Sequence, residues 1–99
     1  MHIFYLFSPG DRPPYYKLAE HLWGAGCDID SDGNSASRDA RDWTELMICL
    51  RPSWNERIDI DPVSSAEQLV LSIRSNDEKL AHRAAVFLHE VAGGELTKA

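Results

Sequence analysis

The sequence predicts an α+β fold, a two-layer sandwich in which two helices cover one face of a four- or five-stranded, mainly antiparallel sheet. Three observations predict it. Between residues 43 and 74, three segments repeat apolar residues with a period of two, giving one apolar and one mixed face: Leu46, Ile48 and Leu50; Ile58 and Ile60; Leu69, Leu71 and Ile73. Two further segments repeat apolar residues at helical spacing. The chain has 99 residues, which makes one domain, and a chain this short buries only about two thirds of the surface it exposes when unfolded, enough for one two-layer core.

Residues 2–7 are predicted as a strand from their aromatic and β-branched content, with Ile3, Tyr5 and Phe7 on one side and Phe4 and Leu6 on the other. A strand that is apolar on both sides belongs inside a sheet. Pro9, Gly10, Pro13 and Pro14 break it, and proline also pre-sets the first turn of a following helix. Tyr15, Leu18, Ala19, Leu22 and Trp23 then have helical spacing, and Gly24 and Gly26 stop the helix after residue 23. Residues 28–42 hold five aspartates, three serines, Asn34 and Gly33, and are predicted as a solvated loop opening with a short strand at residues 27–29. The three-strand meander follows, with turns at residues 52–55 and 62–67. Ser64 and Glu67 have capping-box spacing, which predicts one helical turn in the second. The run Ser75, Asn76, Asp77 and Glu78 supplies an N-cap residue and an acidic first turn for a helix over residues 77–92, with Leu80, Ala84, Phe87, Leu88 and Val91 as its apolar stripe and Gly93-Gly94 as its stop. The tail, residues 95–99, is expected to fray.

Composition limits the function. The longest uncharged apolar run, residues 3–7, is far too short to cross a bilayer, and it lacks the basic start of a secretory signal, so no membrane association and a cytoplasmic location are expected. Cys27 and Cys49 are too few for a disulfide scaffold and stand at no metal-ligand spacing. The net charge of −6 disfavours nucleic acid, whose binding rests on neutralising phosphates with Lys and Arg. The charge is uneven: from Asp28 to Asp61 nine acidic residues face only Arg38, Arg41, Arg51 and Arg57, so this third carries −5 of the −6. A cationic partner should meet the chain there.

Several constellations carry candidate chemistry. Asp28, Asp30, Asp32 and Gly33, with Asn34 and Asp39, resemble the calcium loop of EF-hands at positions one, three, five, six, seven and twelve. Ser35 at position eight and the short arm of Asp39 depart from that pattern, and a solvated acidic loop is the favoured alternative. His82 and His89, about 10 Å apart along a helix at 1.5 Å per residue, match no zinc spacing, and His2 and His21 belong to none either. No nucleophile elbow, phosphate loop or dinucleotide fingerprint is present in the sequence, so neither catalytic residues, resident metal nor cofactor is expected. Asp59 and Asp61 form a carboxylate pair on one strand face. Trp43, at the start of the meander, and Trp54, in its first turn, serve either as interface anchors or as caps on the core.

In size, acidity, absence of enzymatic motifs and α+β build, the chain resembles the small immunity proteins that bacteria make against their own contact-dependent or polymorphic toxins. The resemblance implies a non-catalytic protein that occludes the basic active site of a toxin domain, with charge steering its association. The partner-binding residues expected on that reading are Asp28, Asp30, Asp32, Asp39, Asp42, Trp43, Glu45, Trp54, Asp59 and Asp61, on a monomer or weak homodimer. The alternatives are a calcium-binding module using residues 28–39 and a small enzyme built on His82, His89, Asp59 and Asp61.

Overall fold

A computed structural model describes residues 1–52 and 55–99. Among them the chain forms β1 (His2–Phe7), α1 (Tyr15–Trp23), β2 (Ile29–Gly33), β3 (Leu46–Leu50), β4 (Arg57–Pro62), β5 (Val70–Ser75), α2 (Glu78–Ala92) and β6 (Glu95–Lys98). The strands make one sheet in the order β2-β3-β4-β5-β1-β6 with every pair antiparallel. Both helices lie on one face, as the sequence predicts, but the sheet has six strands among the described residues where four or five were expected.

The meander sets the register. Its apolar alternates face each other across the strands: Leu46 opposes Ile60, Ile48 opposes Ile58, and Ile60 opposes Ile73. β1 continues the same face, with Phe4 opposite Ile73 and Leu6 opposite Leu71. Leu18, Ala19 and Leu22 of α1 and Leu80, Ala81, Ala84, Ala85 and Leu88 of α2 close over this surface. The alanines let α2 sit low on the sheet. Each of the larger side chains stabilises the fold by about 1.5–3 kcal/mol relative to leaving it in water, so this layer is the main source of stability.

The ends of the elements follow local chemistry. The Asp77 carboxylate accepts the Leu80 amide at 3.1 Å, capping α2, whose last helical residue is followed by Gly93. Val91, expected in the apolar stripe, is 43% exposed, and Ala85 fills the core instead. Phe87 packs beside the core and stacks on His21 of α1, ring centroids 4.3 Å apart. Residues 62–67 hold no helical turn; a bond from the Ala66 amide to the Val63 carbonyl makes a tight turn instead.

Two expectations of irregular chain are overturned. The aspartate-rich interlude is a strand over Ile29–Gly33, because its backbone finds β3, and Asn34 ties the far end by accepting the Thr44 and Glu45 amides at 2.9 and 3.0 Å. The tail is β6, paired with β1 from Glu95 opposite Phe7 to Lys98 opposite Phe4. Gly94 permits that return: its φ is +84°, and a Cβ there would run into the Phe7 carbonyl oxygen. No helix among the described residues is long and apolar enough to cross a membrane.

Candidate protein-binding face

The sheet face turned away from the helices carries the other half of each alternation. One line of opposed residues crosses it as Asp32, Met47, Asp59, Arg74 and Ile3, from β2 to β1. A second runs Asp30, Cys49 and Arg57, a third Asp61, Ser72, Tyr5 and Thr97, and a fourth Val70, Phe7 and Glu95. The face therefore divides into an ionic part over β2, β3 and β4 that reaches Arg74 of β5, and an apolar part made by Ile3, Tyr5 and Phe7 of β1 with Val70 of β5. Tyr5 and Phe7 hold their rings 6.4 Å apart in the apolar part, with Ile3 on the same side of β1.

Arginines answer much of the negative charge. Arg57 grips Asp59 with two bonds of 2.9 Å, and the hydrogen bonds and charge of that carboxylate push its guanidinium pKa further up. Arg74 reaches diagonally to Asp61. Arg51 lies 3.2 Å from Asp30 and 3.7 Å from Asp28. Exposed pairs of this kind contribute no more than about 1 kcal/mol each, so they orient the carboxylates more than they hold the fold. Asp32 and Glu45 make no ion pair among the described residues; Asp32 only accepts its neighbour Gly33's amide at 2.8 Å. These two, with Met47, Asp59 and Asp61, line an open hollow of about 290 Å³.

Asp28, Asp30, Asp32, Glu45, Asp59 and Asp61 are thus gathered at one end of the molecule. Comparisons of the chain with protein-family models, curated proteins and solved structures find no match.

The remaining candidate residues lie elsewhere. Asp39 accepts the Tyr16 hydroxyl at 3.0 Å, beside α1, and that hydrogen bond, then burial and the Asp39 charge, raise the tyrosine's pKa. Asp42 is exposed in the loop tied to the segment before α1, where the Arg12 amide donates to the Arg41 carbonyl. Trp43 is only 1% exposed, which corrects its reading as a surface anchor. Its indole Nε1 donates to the Pro13 carbonyl at 2.8 Å and its own carbonyl accepts Arg12 Nε at 2.8 Å, so a ring expected at the rim closes the core. Trp54 lies outside the described residues.

The geometry also bears on the other readings. Residues 29–33, the first half of the calcium-loop resemblance, are extended, and Asp39 is engaged by Tyr16. No cluster of three or more His, Cys, Asp or Glu among the described residues is placed to hold a metal ion. His82 and His89 stand on α2, across the sheet from Asp59 and Asp61. Sequence reasoning missed the arginine pairing, since alternation gives the face of a residue and not the diagonal reach of a long side chain.

Proposed function

We propose that this chain is a small non-catalytic binding protein whose uncovered sheet face docks a basic partner protein. One observation carries the reading: carboxylates of β2 and β4, with Glu45 just before β3, converge on one hollow beside an apolar patch, and neither helix covers them. Apolar surface supplies affinity and the ionic part supplies register and steering. Asp32 and Glu45, without ion pairs among the described residues, offer the open positions for a partner's Lys or Arg. The specific form carried over from the sequence is immunity: a cytoplasmic protein that occludes the basic active site of a toxin domain.

Affinity capture tests this with the parent and an Asp32→Lys, Glu45→Lys variant, both substitutions lying at exposed positions. A partner of high isoelectric point should be retained by the parent, at least tenfold less by the variant, and less by the parent as salt rises from about 0.05 to about 0.5 M. A partner held equally by parent and variant and insensitive to salt contradicts the proposal.

A further inference from the structure

The opposite end of the sheet reverses the charge. Where β6 returns beside β1 and passes the first turns of α2, Phe4, Glu78, Lys79, His82 and Lys98 line a hollow of about 380 Å³. Its floor is Phe4, which is 5% exposed. The His82 ring stands 5.8 Å from the Phe4 ring and the Lys98 ammonium 5.9 Å from it. Two lysines therefore rim an aromatic floor on a chain whose net charge is −6.

Within the hollow the chain already shows how a carboxylate is held. Glu78 Oε2 lies 3.3 Å from Lys98 Nζ and 3.4 Å from His2 Nδ1. Lys79 has no ion pair among the described residues. Lys79 and Lys98 against Glu78 leave this lining with one positive charge in excess, whereas carboxylates dominate the hollow at Asp32 and Glu45. The volume falls in the lower part of the range of small-molecule sites and accommodates a single ring with a short arm.

We propose that this hollow binds a small monocarboxylate with an apolar, ring-sized body. The body lies against Phe4 beside His82, and the carboxylate bridges Lys79 and Lys98. This site lies on the helix side of β1, where Phe4 joins the core, and the protein-binding face is the opposite side of the sheet.

The test is a titration of phenylacetate into nitrogen-15-labelled protein. Saturable amide shifts are expected at Phe4, Lys79, His82 and Lys98, with Kd of about 1 mM or tighter. Phenylacetamide, of similar shape without charge, should bind at least tenfold more weakly, as should a Lys79→Gln, Lys98→Gln variant whose remaining spectrum matches the parent. Should that variant lose its native spectrum, His82→Ala, an exposed position, serves in its place and should weaken binding several-fold. Shifts that do not saturate, equal binding of the neutral amide, or parent-like affinity in the variant used overturn the proposal.

Discussion

Replacing Trp43 with phenylalanine should lower the stability of the fold by about 2–5 kcal/mol, with two sources in the structure. The indole Nε1 donates to the Pro13 carbonyl at 2.8 Å in a buried setting, and Phe leaves that acceptor unmatched, costing about 1–3 kcal/mol. The ring is 1% exposed, so the smaller side chain also leaves a void among its neighbours, at about 1–2 kcal/mol. Against a total of about 5–15 kcal/mol for a small domain this is a large fraction. At about 4–8 °C per kcal/mol for a domain of this size, the melting midpoint should fall by roughly 8–40 °C. Urea denaturation followed by circular dichroism reads the change directly, with the midpoint lowered and the slope unchanged. Partner affinity of the folded variant should stay at the parent's value. A variant within about 0.5 kcal/mol of the parent that instead loses the partner would return Trp43 to the surface and refute the argument.

Other substitutions probe separate features. Gly94→Ala should cost about 1–3 kcal/mol and release β6, read as loss of hydrogen-exchange protection at Thr97 and Ala99, whose amides face β1, because φ at this position is +84° and the added methyl meets the Phe7 carbonyl; unchanged protection would contradict it. Asp77→Ala removes the cap on the Leu80 amide and should cost about 1 kcal/mol in thermal or urea unfolding. Asp39→Asn should move the alkaline absorbance titration of Tyr16 down towards the ordinary 10.0, since the hydrogen bond to Asp39, burial and the Asp39 charge hold it above that value. A raised folded-state pKa means that Tyr16's contribution to stability is present below pH 10.0 and fades as pH climbs through the raised value. An unaltered titration in that variant would place the cause elsewhere.

Most of the layer architecture was legible because it rests on side-chain periodicity. The strand at His2–Phe7 and the helix at Tyr15–Trp23 have the predicted bounds, and Asp77 caps the second helix where the polar run preceding it indicates. The strand expected only at residues 27–29, found at Ile29–Gly33, and the strand missed in the tail share a cause. β2 and β6 are edge strands whose side chains bury little, and their pairing depends on backbone groups that no residue pattern announces. Leu96, half-buried between Glu95 and Thr97, with a Gly-Gly reversal before it, was the faint signal for the second. The acidic site was half legible. Alternation placed Asp59 and Asp61 on the face away from the helices, and the hidden strand character of residues 29–33 then brings Asp30 and Asp32 to the same end. Asp39 departs because Tyr16 claims it, and Trp43 because its indole finds a carbonyl inside.

The most direct measurement is the methyl spectrum of the chain bound to its captured partner. Ile3, Met47 and Val70 lie on the uncovered face, while Ile58, Ile60 and Ile73 lie beneath the helices. If the uncovered face is the docking surface, the first group shifts strongly on binding and the second hardly moves. Shifts confined to methyls of the helix layer, such as Val86 and Val91, with Ile3, Met47 and Val70 unchanged, would contradict it.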